Sequence, residues 1–408
     1  MPVPASVLVV GGGLAGFTTA QELRRRGFAG TVTIVDPDGL PYDRPPLSKD
    51  YLAGTVPAEK LDFAAASWYA DNAVEHVRGL ATALDADAGR VTLADGRTLE
   101  ADVVVLATGG HARTLPVPGG DLPGLHHLRT RADADALRPF LAPGRRLAVV
   151  GAGLIGAEVA STAAKAGAEV TLVDPVEIPL VPAVGQSIAA ALHAMHEAHG
   201  VRVVCGQTTE IGRTGDAWRL VIDEGTASGG FDAEADAVLI AIGLIPEVGL
   251  AAGAGLDVNN GVLVDAEQRT SHPRVYAVGD SSRTRGPDGT LHHRHEHWES
   301  AVHSGQRAAA SITGQDAPAP TAPWMWSDRY GVHVEAVGSL ATGHVVVRER
   351  DGRPVAEFRL SDDHRLLGAA AIDGGHTIRA ARRMIDRGIV VDPAQLADPT
   401  VDLKKLAR

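Results

Sequence analysis

The sequence predicts an α/β protein built from two dinucleotide-binding units in tandem, each on a parallel sheet, followed by a small α+β tail. Three observations predict it. An apolar run, Val7 to Val10, breaks into glycines spaced G-x-G-x-x-G at Gly11, Gly13 and Gly16. The pattern returns whole after Leu147 to Val150, at Gly151, Gly153 and Gly156. Each copy is followed by a second apolar run ending in an acid, Asp36 in the first and Asp174 in the second.

The spacing has a physical reading. In a strand–turn–helix unit the first glycine permits the tight turn, the second lets backbone approach a pyrophosphate, and the third lets the helix pack close to the strand. The pyrophosphate then sits at a helix N-terminus, facing unpaired N–H groups. The acid closing the second strand can accept from an adenosine ribose. One such motif is weak evidence. Two complete copies imply two dinucleotides, hence electron transfer between two carriers. An aspartate at 174, with no arginine from Val173 to Val184, favours a free 2′-hydroxyl, so NADH over NADPH.

Composition narrows the class. A chain of 408 residues holds two or three domains. A net charge of −12 argues against nucleic acid as a partner. A single cysteine, Cys205, excludes a disulfide framework, a C-x-x-C redox pair and a thiolate metal cluster, and it suits the cytoplasm. The first residues lack a basic n-region, and no apolar run approaches a membrane span, so neither export nor a span is expected.

In chain order, the first unit occupies 1–112. After Asp36, the prolines of Pro41-Tyr-Asp-Arg-Pro-Pro-Leu-Ser-Lys49 fix a loop that carries Arg44 and Lys49 close to a nucleotide. A helix and strand follow from Trp68 to Val77, then a hairpin at Asp95-Gly96, then a buried strand ending in Ala107-Thr108-Gly109. The second unit, 113–244, repeats this plan. It has a helix at 185–199, a strand at 201–205, a hairpin through Trp218 with Glu224-Gly225, and a last strand ending at Gly243. Residues 245–318 are too few for a third unit and must complete an earlier one, with strands near Val262 and Val275, Gly279-Asp280, and a helix from Trp298 to Thr313. A Pro/Ala-rich linker leads into the tail, 319–408, with alternating strands, a turn at Asp351-Gly352 and a helix from Thr377.

Taken together, these stretches resemble one family. The doubled glycine motif, the R-P-P-L-S-K loop, Ala107-Thr-Gly109, Tyr276-Ala-Val-Gly-Asp280 and Pro323-Trp-Met-Trp-Ser-Asp328 are similar to the FAD-dependent ferredoxin reductases of bacterial oxygenase systems, within the glutathione-reductase-like flavoproteins. The resemblance spans essentially the whole chain. It implies a discontinuous FAD domain (1–112 and 245–318), an NAD(H) domain (113–244) and a C-terminal interface domain (319–408). It implies non-covalent FAD, NADH, a 2Fe–2S ferredoxin as partner and a cytochrome P450 or Rieske oxygenase beyond it.

The resemblance also distributes roles. Gly11, Gly13, Gly16, Asp36, Arg44, Lys49, Thr108, Arg129, Asp280, Trp298 and Trp326 would line FAD. Gly151, Gly153, Gly156, Glu158, Asp174, Gly243 and Glu296 would serve NADH. Lys49 and Glu158 would pair where flavin meets nicotinamide, with no protein nucleophile. Arg379, Arg382 and Arg383 share one helical face. With Arg283, Arg285 and Arg329 they could form a basic patch for an acidic ferredoxin. The run His292, His293, His295, His297 lacks a completing ligand pattern, so no metal is expected. The alternatives are an NADH oxidase, a disulfide reductase or a quinone reductase of the same fold, and a non-catalytic flavin redox sensor. A disulfide reductase needs a cysteine in the loop from Leu40 to Lys49, which has none.

Overall fold

The protein is described by a computed structural model covering residues 4–225 and 230–408. Residues 1–3 and 226–229 lie outside the described residues. In chain order the principal strands are β1 (Ser6–Val10), β2 (Thr31–Asp36), β3 (Val74–Arg78), β4 (Val103–Leu106), β5 (Arg146–Val150), β6 (Glu169–Asp174), β7 (Arg202–Cys205), β8 (Ala237–Ile240), β9 (Val275–Ala277), β10 (Trp324–Arg329), β11 (Val332–Gly338), β12 (His344–Arg350), β13 (Arg353–Leu360) and β14 (Leu366–Ile372). The principal helices are α1 (Leu14–Arg25), α2 (Leu154–Ala166), α3 (Gln186–Ala198), α4 (Trp298–Thr313) and α5 (Gly375–Asp386).

The chain forms two compact units. The first comprises Met1–Arg44, Ala58–His111 and Leu244–Pro320; the second comprises Pro45–Pro57, Ala112–Gly243 and Thr321–Arg408.

The first unit is built on a parallel sheet of order β9-β4-β1-β2-β3. Both faces of this sheet are covered, which explains its unbroken apolar runs. Val7, Val9, Val32 and Ile34 pack under α1 and α4 with Phe17, Ala308 and Ile312. Leu8, Val10, Val104 and Leu106 face the small antiparallel sheet of residues 81–100 through Leu84, Val91 and Leu93. Helix α4 rides close on α1 because Gly305 has no side chain: a Cβ there would stand 2.7 Å from the Ala15 carbonyl oxygen.

The second unit repeats this on a sheet of order β7-β6-β5-β8. One face packs on a three-stranded antiparallel sheet through Trp218, Leu220 and Ile222. The tail folds as an antiparallel sheet of order β10-β11-β14-β13-β12. Helix α5 covers one face through Ile378 and Met384. The other face, through Val334, Ala336 and Ala370, packs on Ile188 and Leu192 of α3. The tail therefore shares a core with the second nucleotide unit. The segment Pro45–Pro57 belongs to this unit as well, not with 1–44: the Tyr51 hydroxyl donates to Asp135 at 3.0 Å, and the Thr162 hydroxyl donates to the Ser48 carbonyl at 2.9 Å.

One buried carboxylate joins tail to helix. Helix α3 starts at Gly185 with no side-chain cap of its own. Glu357 of β13, with no exposed surface, accepts instead from the backbone N–H groups of Gln186 (3.2 Å) and Ser187 (2.6 Å) and pairs with Arg359 at 3.0 Å. Glu357→Ala would leave two helix donors and a guanidinium without their acceptor. We expect a loss of about 3 kcal/mol in urea unfolding; an unchanged midpoint would contradict this role.

Candidate functional site

The two glycine turns are geometric copies. Gly11 and Gly151 have φ of +111° and +102°, and a Cβ on them would strike the carbonyl oxygens of Ala107 (2.2 Å) and Ala241 (2.5 Å). At Gly16 and Gly156 a Cβ would strike the carbonyl oxygens of Gly11 (2.0 Å) and Gly151 (1.9 Å). These four glycines are required by the chain itself. The middle glycines are not. Gly13 and Gly153 have φ of −67°, which any residue can adopt. A Cβ on Gly153 would meet nothing within 4 Å, and one on Gly13 would meet only the guanidinium of Arg44. Gly153 thus faces open space and Gly13 the Arg44 guanidinium, each at the start of a helix with neither a side-chain cap nor an acid in its first turn. A cradle of this kind fits a dinucleotide pyrophosphate.

The acids after the second strands brace these turns. Asp36 accepts from the N–H groups of Gly12 (2.5 Å) and Asp38 (2.8 Å). Asp174 accepts from Ala152 (2.8 Å) and Val176 (2.9 Å). Each carboxylate oxygen retains a lone pair for a ribose hydroxyl. Beside Asp174 lies a cavity of about 230 Å³, lined also by Glu177, His193, Glu197 and Cys205. Burial holds His193 below its ordinary pKa range.

In the first unit, loop residues gather near the first cradle. Arg44 reaches over Gly13, and the Trp298 indole donates to Asp43 at 3.1 Å. The Asp280 carbonyl accepts from Arg294 at 2.7 Å, and Arg294 also pairs with Glu296 at 2.7 Å. Thr108 donates its hydroxyl to the Glu247 carbonyl at 2.7 Å.

The second unit holds the densest polar cluster. Lys49 Nζ lies 3.1 Å from Glu158 Oε1, 3.5 Å from Asp328 Oδ2 and 5.9 Å from the Trp326 ring centroid. Glu158, on α2, is 5 % exposed. It accepts hydroxyl hydrogen bonds from Ser48 (2.5 Å) and Ser327 (2.6 Å) and the Asp328 N–H (3.3 Å). Four donors thus surround one buried carboxylate. His333 Nδ1 stands 2.5 Å from Asp328 Oδ1 and its Nε2 3.2 Å from Glu335. Burial opposes protonation of His333, but the hydrogen bond and charge of Asp328, with Glu335, outweigh it and raise its pKa. Arg129 lies in this unit too, its N–H donating to Asp133 at 2.9 Å. Gly243 adopts φ +107° over open space.

A buried histidine borders this cluster. His196 has no exposed surface and shares a 2.7 Å hydrogen bond with the Tyr330 hydroxyl. Burial, with Arg329 nearby, pushes its pKa down to about 3. The folded state thus binds fewer protons there than the unfolded state between about pH 3 and 6.5. Stability should fall as pH drops from 7 to 5. His196→Gln should flatten that slope in thermal melts; an unaltered slope would contradict it.

The structure corrects one member of the expected arginine patch, Arg329. Arg329 is buried at 3 % exposure, because β10 turns it toward α2 and α3. Arg283 is committed to the Asn259 and His292 carbonyls and Arg285 to Asp257 at 2.6 Å, all within the first unit. Arg379, Arg382 and Arg383 do lie on α5; Arg379 contacts His376 at 2.8 Å and Arg382 donates to Thr321 at 2.7 Å. Sequence reasoning missed Ser48, Ser327 and His333. The two serines sat inside quoted motifs, and that was their only signal. Among the described residues, no group of three or more metal-capable side chains converges, and no helix is long and apolar enough to cross a membrane.

A fold with two nucleotide cradles and a lysine–glutamate pair at the second defines a pyridine-nucleotide oxidoreductase. Residues 5–305 match the family model of the pyridine nucleotide-disulphide oxidoreductases, and residues 324–407 match the reductase C-terminal model. The chain is 39 % identical over 405 residues to the ferredoxin–NAD(+) reductase component of the anthranilate 1,2-dioxygenase system of Burkholderia cepacia, covering 97 % of this chain and 98 % of that one. It is 36 % identical to rhodocoxin reductase of Rhodococcus erythropolis, covering 98 % and 93 %. The reductase in the covalent putidaredoxin reductase–putidaredoxin complex superposes with a TM-score of 0.90 at 33 % identity, covering 98 % of each chain. The chain belongs to the pyridine nucleotide-disulphide oxidoreductase family, in the branch of the ferredoxin reductases.

Proposed function

We propose that this chain oxidises NADH and delivers the electrons, one at a time, to a 2Fe–2S ferredoxin that feeds an oxygenase of the cytochrome P450 or Rieske type, in the cytoplasm. The doubled cradle carries the reading: a Cβ on Gly153 would meet nothing within 4 Å, and one on Gly13 only the flexible end of Arg44. It is an FAD-dependent oxidoreductase: bound FAD supplies the exchange between two-electron and one-electron chemistry.

The chain's own residues bind and orient. The N–H groups after Gly13, with Arg44 and Asp36, would hold the FAD diphosphate and ribose, and Asp280, Thr108, Arg129, Trp298 and Trp326 would line the rest. Gly153, Asp174, Gly243 and Glu296 would serve NADH. Lys49, held by its ion pairs with Glu158 and Asp328, would stand at the flavin edge and favour the added negative charge. Helix α5, with Arg379, Arg382 and Arg383, would contribute to ferredoxin docking. Charge reversal at Arg382 and Arg383 should raise the KM for ferredoxin at low salt, while leaving ferricyanide reduction by NADH unaffected.

The cavity beside Asp174 bears on coenzyme choice. Asp174, Glu177 and Glu197 are acidic there, and His193 is neutral at pH 7. A 2′-phosphate would meet repulsion, with no lysine or arginine among the residues lining that cavity. Binding of ADP-ribose should be at least tenfold tighter than that of its 2′-phosphorylated form, an effect of one like-charge contact near a protein surface of roughly 1.4 kcal/mol. Equal affinity would contradict this reading.

The function is tested by cytochrome c reduction with NADH and purified 2Fe–2S ferredoxins. A rate that depends on both reductase and ferredoxin supports it. A rate indifferent to every ferredoxin overturns it.

A further inference from the structure

Arg329 is an expensive residue to bury. Its guanidinium is 3 % exposed and forms no ion pair within 4.0 Å among the described residues. Nη2 donates to the Ser327 hydroxyl at 3.1 Å, and Nε has no hydrogen-bond partner there. A guanidinium kept only for packing would have its donors satisfied, or would be replaced by an apolar side chain. What lies beyond Ser327 supplies a reason. The same hydroxyl donates to Glu158 Oε1 at 2.6 Å, and that oxygen is the one 3.1 Å from Lys49.

The charges around Lys49 then add up in a specific way. Two carboxylates, Glu158 and Asp328, face one ammonium. Taken alone, those three side chains are negative by one charge; beyond them His333, between Asp328 and Glu335, forms a pair of opposite charges with Glu335 when protonated. Arg329, behind Glu158, offsets the remaining negative charge. We propose that Arg329 is a positioning residue for electron uptake: through Ser327 it offsets the charge of Glu158 and leaves the Lys49 ammonium effective toward the flavin. This rests on the reading that Lys49 stands against the FAD ring. A neutral cluster opposes the arrival of electrons less than an anionic one, so Arg329 raises the flavin midpoint potential.

The test is anaerobic dye equilibration of the flavin-loaded enzyme. At a fixed solution potential, Arg329→Gln should shift the ratio of oxidised to reduced flavin roughly tenfold toward oxidised. Arg329→Lys should stay within about twofold of the parent, by retaining the charge. The double variant Glu158→Gln/Arg329→Gln removes one charge of each sign and should return close to the parent. If Arg329→Gln alone does not fold, the comparison of Glu158→Gln with the double variant carries the test, the second arginine-less form being the more easily oxidised. A potential unmoved by loss of Arg329, while Lys49→Met moves it, overturns the proposal and spares the placement of Lys49. A potential unmoved by Lys49→Met overturns that placement, and the proposal with it.

Discussion

Gly153→Val should lower kcat/KM for NADH by roughly a hundredfold while leaving the melting temperature and the bound flavin unaltered. The magnitude follows from displacing a reacting group by about an ångström. The contrast with its neighbours makes the prediction sharp. Gly151 holds φ +102°, and Gly156 would drive a Cβ to 1.9 Å from a carbonyl oxygen, so either substitution damages the fold. Gly153 does neither: its backbone is extended and a Cβ enters empty space. The fold gives no reason for a glycine there, and a close-lying diphosphate does. Isothermal titration with ADP-ribose and a thermal melt, run side by side, check it. Tight binding by the valine variant would show that the nucleotide does not cross this turn.

Lys49→Met is expected to have the second large effect. It removes the cation from a buried carboxylate, a change that typically destabilises by 3–5 kcal/mol. Glu158 keeps the Ser48 and Ser327 hydroxyls, so the lower end of that range, about 3 kcal/mol, is expected here. In the same variant, flavin reduction by NADH should slow by about a hundredfold, the usual consequence of deleting one electrostatic contact to developing charge. Stopped-flow absorbance at the flavin band measures the rate and urea unfolding the stability. A stable variant that is reduced at the parental rate would remove Lys49 from the site.

The cradles were legible because their determinants are local. Within about 25 residues, Gly11 to Asp36 and Gly151 to Asp174 each contain the tight turn and the close-packed helix that the spacing predicts, while the acids, read from the sequence as ribose acceptors, also accept N–H groups of the turns. The pairing of Lys49 with Glu158 followed from family resemblance rather than from the residues. What surrounds it was not legible. Ser327 and Arg329 reach Glu158 only because the tail sheet lays β10 against α2, Ser48 comes from a separate loop, and no local pattern encodes either approach. Arg329 was misread for this reason: beside Asp328 and Tyr330 it has the look of a surface cation, yet strand alternation turns it inward with Ser327. Glu357 escaped notice likewise, since it lies in a strand whose inward face is Ala356, Phe358 and Leu360. Its trace in the sequence is indirect. Helix α3 begins Gly185-Gln-Ser without an acid or hydroxyl at its cap, and such a start needs an acceptor from elsewhere. The grouping of Pro45–Pro57 with the second unit was equally hidden, because its prolines mark a loop but not which unit the loop packs on.

The central claim is a path from NADH through FAD to a one-electron partner, and anaerobic stopped-flow mixing tests it most directly. The flavin-loaded protein is first bleached with one equivalent of NADH and then mixed with oxidised 2Fe–2S ferredoxin. Flavin absorbance should recover in step with loss of the ferredoxin chromophore, at two ferredoxins reduced per flavin. A flavin that NADH bleaches but that no ferredoxin reoxidises would contradict the account.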